Sequence, residues 1–199
     1  MATKTVNDLA IRLALELAGC PRALILDRLR EGCRELLLRT HPWQVDLTMD
    51  LVEDQEEYTL DVSATHADAV VEHVVLVKVN GTVYPARLWR TTVDGELGFE
   101  SSWVPGEDVT DGLVVRVSLG LADDATTFPD WLIDRYGYAI RGYAGMNLCR
   151  IAKRPWSDMQ AGEVFGREYR RGLSRLSAWA RDHADPEDAG AWDRGGIGA

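Results

Sequence analysis

One long helix is predicted to begin and end within residues 128–157, FPDWLIDRYGYAIRGYAGMNLCRIAKRPWS. Pro129 suits the first turn of a helix, because its missing N–H has no helical partner to lose. Apolar side chains then recur at spacings of three and four residues, the pattern of one helix face. This stripe consists of Leu132, Tyr136, Ile140, Tyr143 and Ala144.

A strip of small residues runs beside that stripe. It consists of Gly142, Gly145 and Cys149. Side chains this small let a second backbone come close, so the strip predicts tight packing of another element against this helix.

The segment at residues 153–157 (KRPWS) predicts a hinge between this helix and the next. Pro155 is predicted to stop the first helix, and Ser157 with Gln160 has capping-box spacing for the second. The second helix then takes its apolar face from residues at helical spacing. They are Ala161, Phe165, Tyr169, Leu173, Leu176 and Ala180.

The N-terminal residues predict two antiparallel helices joined by a tight connection. The first is predicted over residues 5–18, with Thr5 and Asp8 in capping-box-like spacing. Gly19-Cys20-Pro21 ends it. The second continues to Thr40-His41-Pro42, with Ile25, Leu29, Cys33, Leu36 and Leu37 as its stripe.

Between these helical ends the apolar period changes to two, which predicts strands. Residues 45–52 alternate, residues 53–57 form an acidic turn before a short strand at 58–60, and residues 113–121 alternate again. Asn80-Gly81 after the apolar run 70–79 predicts a hairpin. Further turns are predicted at Asp94-Gly95, Pro105-Gly106 and Asp111-Gly112.

The predicted fold class is therefore α+β, a four-helix bundle from both chain ends with an inserted antiparallel β-domain. The bundle comprises residues 1–43 and 128–183, and the acidic β-domain comprises residues 44–127. Residues 184–199 are predicted to be a flexible C-terminal tail, because their Asp, Glu, Pro, Gly and Ala cannot bury enough apolar surface.

Charge is distributed unevenly along the 199 residues, whose net charge is −10. Residues 44–127 carry 4 basic and 17 acidic side chains, a net −13, whereas residues 128–183 carry 10 basic and 6 acidic, a net +4. Binding to nucleic acid needs a dense basic surface, which this balance does not offer. The acidic segment is either a solvated β-surface or a functional one.

Motifs for catalysis, cofactors or metals are absent from the sequence, which predicts that the protein is not an enzyme and has no cofactor or metal. The four histidines are scattered, and no nucleotide-binding or nucleophile motif is present. Three unpaired cysteines without C-x-x-C spacing indicate reduced thiols in a cytosolic setting. Charges interrupt every apolar run, so no membrane-spanning segment is predicted.

Candidate binding residues are tryptophans and arginines. Trp43, Trp131 and Trp156 lie at predicted helix boundaries, where they either pack into the core or contact a partner. Trp192 lies in the predicted tail, and we interpret it as an anchor that orders on a partner.

The last helix carries a basic stripe. It consists of Arg167, Arg170, Arg171, Arg175 and Arg181. The stripe is either a solvated helix face or a contact surface for an acidic neighbour, which in a ring of identical subunits could be the acidic β-domain of the adjacent copy.

The order of these motifs resembles podovirus-type phage head–tail adaptor proteins (connector, or tail tubular A-like, proteins). The pattern is Arg39-Thr40-His41-Pro42-Trp43 closing the second helix, Tyr58-Thr59-Leu60 after an acidic turn, and the FPxWL helix with its KxPWS hinge. It extends over residues 5–180, while residues 83–103 match no part of the family pattern.

The resemblance implies a structural virion protein of the neck between capsid and tail, made in the bacterial host cytoplasm. It implies a dodecameric ring beneath the portal protein, which continues the DNA channel to a tail nozzle or tail tube protein, with the tail around Trp192 ordering against the portal. An acidic lumen would repel the genome, so DNA would pass without specific binding. The alternative is another connector component, a stopper or tail-completion protein.

Overall fold

The computed structural model of the protein describes residues 3–91, 96–100 and 105–182. The predicted α+β class is confirmed. The helices are α1 (Asn7–Glu16), α2 (Arg22–Thr40), α3 (Asp130–Cys149) and α4 (Met159–Asp182). The strands are β1 (Thr3–Lys4), β2 (Gln44–Leu51), β3 (Glu57–Thr59), β4 (Ala69–Val79), β5 (Thr82–Val83), β6 (Trp89–Thr91), β7 (Glu96–Phe99), β8 (Val109–Leu121) and β9 (Phe128–Pro129), and a short 3-10 turn spans Ala86–Leu88.

The chain divides into two compact units. The helical unit runs up to Pro42 and from Leu121 to Asp182, and the β unit runs from Trp43 to Gly120. The described strands pair as β1-β9 in the helical unit, and in the orders β2-β8-β4-β5 and β3-β7-β6.

Helix α3 is the central helix of the helical unit, because it packs against α1, α2 and α4. Its predicted stripe is buried apart from Tyr143, which is half-buried. The close approach predicted at the small-residue strip is confirmed. A Cβ added at Gly142 would lie 2.7 Å from the carbonyl oxygen of Phe165 and 2.8 Å from the amide nitrogen of Tyr169, both on α4.

The N-terminus of α1 differs from its prediction. The helix begins at Asn7, Val6 precedes it, and no side chain caps it, so Thr5 is not a capping residue. Thr3 and Lys4 instead pair with Pro129 and Phe128. Pro129 is therefore extended (φ −50°, ψ 129°) and immediately precedes α3, whereas the sequence predicted it inside the first turn.

The α3–α4 connection also differs. Helix α3 ends at Cys149, well before Pro155. The Ser157 hydroxyl does not cap α4, because it accepts a bond from the Arg154 amide and donates to the Ile151 carbonyl. Asp158 caps α4 instead, since its Oδ1 accepts from the amides of Gln160 (2.9 Å) and Ala161 (3.0 Å).

In the β unit, the β4–β5 hairpin is confirmed. Asn80 (φ 47°) and Gly81 (φ 75°) form its turn, and Val79 pairs with Thr82. The turn predicted at Asp111-Gly112 is wrong, because both residues lie inside β8. Asp111 has a positive φ of 53°, and the register with β2 shifts between Met49 and Leu51, so the irregularity is a bulge rather than a chain reversal.

Candidate assembly surfaces

The basic stripe of α4 forms one exposed face of that helix. Arg167, Arg170, Arg171 and Arg175 are all exposed. The opposite face is buried through Phe165, Tyr169, Leu176 and Ala180, while Ala161 and Leu173 are half-buried. Because burial of the apolar face fixes the rotation of α4, these arginines must point away from the core of the helical unit. We call the four of them the basic face.

The basic face is electrostatically unfavourable for an isolated helix. Arg167 and Arg171, and Arg171 and Arg175, are spaced i,i+4, where like charges each cost about 0.2–0.5 kcal/mol. None of the four makes an ion pair with a residue in the described part of the chain. Two acidic side chains lie in this part of α4. Glu163 has the favourable i,i+4 spacing with Arg167, whereas Glu168 Oε2 lies 3.6 Å from Arg141 Nη2 of α3.

Of the four candidate tryptophans, Trp156 lies in the α3–α4 connection and is half-buried. Its indole nitrogen is buried without a hydrogen-bond partner among the described residues. Trp156 therefore does not belong to the basic face, which consists of α4 residues alone. Trp192 and the predicted tail lie outside the described residues, as do Asp94-Gly95 and Trp103.

Six exposed carboxylates come together at one end of the β unit, and we call them the acidic end. They are Asp50, Glu53, Asp54, Glu107, Asp108 and Asp111. Three hydrogen bonds join the two chain segments. The Glu53 amide donates to Asp108 Oδ1 (2.7 Å), the Asp111 amide to Asp50 Oδ1 (2.8 Å), and the Asp54 amide to the Pro105 carbonyl (3.0 Å).

Sequence reasoning recognised the acidic turn at residues 53–57 but missed this cluster. The signal was available. Acidic residues end the β2 segment and begin the β8 segment, and antiparallel pairing of those strands brings the two together.

The remaining charges of the four-stranded sheet β2-β8-β4-β5 are more nearly balanced. Asp46 on β2 lies opposite Arg116 on β8, and the two side chains pair at 2.7 Å. The hydrogen bond from Arg116 lowers the pKa of Asp46, with a further contribution from the Arg116 charge and from Lys78. Within this sheet, excess negative charge is therefore concentrated at the acidic end, where the two segments carry no basic side chain.

Helix α1 presents a second, apolar face to solvent. Leu15 is 81% exposed and Ile11 is 55% exposed, and Ala14 and Ala18 beside them are also exposed. These positions have helical spacing, while Leu9, Leu13 and Leu17 bury the other face. Contiguous exposed apolar side chains of this kind are typical of protein–protein contacts. This exposed face was not predicted from the sequence.

Reactive groups of the helical unit are held in inert states. Burial raises the pKa of the Cys33 thiol well above its usual range, so the thiol stays protonated and is a poor nucleophile. Burial and the hydrogen bond to Glu31 raise the pKa of Tyr143 to about 12. Among residues 3–91, 96–100 and 105–182, no group of His, Cys, Asp and Glu could hold a metal ion.

None of the described helices is both long and apolar enough to cross a membrane.

The solved structures that resemble this chain include two from GTA (gene transfer agent) particles. One is from the neck of an empty particle computed with C6 symmetry; it has 17% identity and a TM-score of 0.32, covering 83% of this chain and 95% of that one. The other is from the neck of a native particle computed with C12 symmetry, with 18% identity, a TM-score of 0.31, and 83% and 94% coverage. No protein-family model and no curated protein matches the chain.

Proposed function

We propose that this chain is a non-enzymatic structural protein of the neck of a phage-like particle. In this proposal it is a head-to-tail adaptor that forms a ring beneath the portal and continues the DNA channel to the tail. The proposal starts from the sequence resemblance, whose motifs occupy the end of α2, β3, the start of α3 and the α3–α4 connection.

The observation that carries the proposal is that the most distinctive surfaces of the described chain are suited to binding protein. Helix α1 exposes Ile11 and Leu15, α4 exposes four arginines, and the β unit exposes six clustered carboxylates. The titratable groups with the most strongly raised pKa values, Cys33 and Tyr143, pack inside the helical unit instead of converging in an active site. The exposed surfaces of α1, α4 and the β unit therefore favour a structural protein that assembles with others over an enzyme.

The acidic balance also fits a channel through which DNA moves. The β unit carries 4 basic and 15 acidic side chains, a net −11. Negative charge along a channel repels phosphates, so the genome could slide without being held.

Mixing the purified chain with rings of candidate phage portal proteins tests this function, with the products imaged by electron microscopy. We expect a second ring stacked coaxially on the portal. A Leu15→Glu variant should fold but decorate the portal less, since a charge replaces an exposed leucine. The matched control is Arg12→Glu, a charge change at an exposed position of the same helix.

Decoration of a tail component but never of a portal would favour the stopper or tail-completion alternative. A chain that joins neither would contradict the proposed function.

A further inference from the structure

The two charged surfaces are complementary and belong to different units of the same chain. The helical unit carries 17 basic and 13 acidic side chains, a net +4, and exposes the basic face. The β unit has a net charge of −11 and exposes the acidic end. A second copy of this chain therefore offers the ligand that each surface lacks.

We propose that the basic face of α4 in one copy binds the acidic end of the β unit in the next copy. The contact is heterologous, because two different surfaces meet, and such contacts form a ring when the rotation between neighbouring copies closes. This inference rests on the proposed function, of which it specifies the subunit contact.

The chemistry of the two surfaces fits this pairing. Arginine binds carboxylates through a planar fork of donors and is favoured at interfaces. The hydrogen bonds from the Glu53 and Asp111 amides hold the acidic end together, so its carboxylates are preorganised. Pairing with carboxylates also relieves the repulsion between Arg171 and Arg175, neither of which makes an ion pair with a described acidic group.

Nucleic acid is the other polyanion that arginines could bind. A chain of net charge −10 with one short basic face is a poor match for a duplex, because affinity for DNA grows with the number of phosphates neutralised.

The first variant removes the net charge of the basic face with Arg171→Glu and Arg175→Glu. Both residues are exposed and glutamate is a good helix former, so the monomer should keep its fold. The second variant lowers the negative charge of the acidic end with Glu53→Lys and Glu107→Lys, because neither glutamate side chain makes a hydrogen bond to a described residue. The control is Arg22→Glu with Arg154→Glu, the same charge change at exposed positions elsewhere in the helical unit.

Sedimentation velocity up to millimolar protein, at low and high salt, measures self-association. The wild type and the control should associate, on the order of tenfold more weakly at high salt. Each variant alone should associate much more weakly than the wild type, because the substitutions bring the charge of the basic face from +4 to 0 or that of the acidic end from −6 to −2. An equimolar mixture of the two variants should associate again as heterodimers, because the unmodified basic face of the second variant meets the unmodified acidic end of the first.

Recovery on mixing can come only from contacts between different chains. If the mixture stays monomeric while the wild type associates, the pairing is wrong. The proposed pairing would also be wrong if the wild type showed no salt-sensitive association. The same holds if Arg171→Glu with Arg175→Glu left association unchanged. Binding of duplex DNA by the basic face that is abolished by Arg171→Glu with Arg175→Glu, without any effect on self-association, would assign the face to DNA instead.

The portal experiment separates this inference from the proposed function. If the wild type and both double variants decorate portal rings equally, the adaptor function is supported and the proposed contact is contradicted. If the substitutions weaken self-association as expected but no portal or tail component is ever bound, the contact is supported and the adaptor function is contradicted.

Discussion

Gly142 shows how one missing methyl group sets the packing of α3 against α4. A Cβ at this position would meet two backbone atoms of α4, the Phe165 oxygen at 2.7 Å and the Tyr169 nitrogen at 2.8 Å. Backbone cannot rotate away, so Gly142→Ala must push the helices apart. We expect an overpacking cost of about 1–3 kcal/mol, only partly offset by the better helix propensity of alanine. Thermal unfolding followed by circular dichroism should show a lower midpoint.

Gly166 on α4 is the matched control for that experiment. A Cβ there would first meet Met146 Sδ at 3.2 Å, the end of a flexible side chain that can move. Gly166→Ala should therefore be neutral, or stabilise by up to about 1 kcal/mol. An equal or higher midpoint for Gly142→Ala would mean that the two helices are not held at this distance.

At the scale of elements, the start of α4 depends on one carboxylate. Asp158 Oδ1 accepts hydrogen bonds from the Gln160 and Ala161 amides, which otherwise have no helical partner. Asp158→Ala should lower the free energy of unfolding by about 1 kcal/mol. Urea unfolding monitored by tryptophan fluorescence measures this difference.

Gln160→Ala distinguishes the observed cap from the capping box that the sequence predicted. In a capping box Gln160 would bond back to Ser157, and its removal would destabilise the helix. Since Asp158 caps α4, Gln160→Ala should change stability by no more than a few tenths of a kcal/mol. A loss comparable to that of Asp158→Ala would restore the capping-box interpretation.

The β2–β8 pair should give stability a component that depends on acid pH. Because the Arg116 hydrogen bond lowers the pKa of Asp46 in the folded state, this pair stabilises the fold above the unfolded pKa of about 3.9, and the benefit is lost as pH falls through the lower folded value. Asp46→Asn should cost up to about 1 kcal/mol near pH 7, a modest amount because the side chain is half-exposed.

The cost of Asp46→Asn should shrink at acid pH, since the wild-type carboxyl then becomes neutral as well. Unfolding by urea at neutral and acid pH checks this. Asp124→Asn is the control, because Asp124 is exposed and pairs with no described residue. If the cost of Asp46→Asn did not depend on pH, the ion pair would not be its cause.

What the sequence could predict is mostly local. The hairpin at Asn80-Gly81 follows from the two turn residues alone, and the small strip on α3 follows from glycines at helical spacing. The pairing of Thr3 with Pro129, the extension of β8 through Gly112 and the acidic end all depend on segments distant in the chain. Likewise, α1 is apolar on two sides, and only the packed structure shows that Leu15 is the exposed one.

At the scale of the whole molecule, we propose that the β unit is an insertion without which the helical unit can fold. The chain enters the β unit on β2 and leaves it on β8, and these strands are antiparallel neighbours. Gln44 pairs with Ser118, and the Leu119 amide donates to the Trp43 carbonyl at 2.8 Å. The two ends to be rejoined are therefore only about 5 Å apart, the spacing of adjacent strands.

Replacing residues 44–118 with a short Gly-rich linker should leave a protein with a helical spectrum and a cooperative melt, measured by circular dichroism. Helix α3 keeps its contacts with α1, α2 and α4, which all belong to the helical unit. Adding Gly142→Ala to the shortened chain should lower its midpoint as in the full chain, which shows that the same helix packing persists. A shortened chain without a cooperative transition would mean that the helical unit needs the β unit to fold.

The folded short form keeps the basic face but lacks the acidic end. It should therefore also block further growth of assemblies of the full chain.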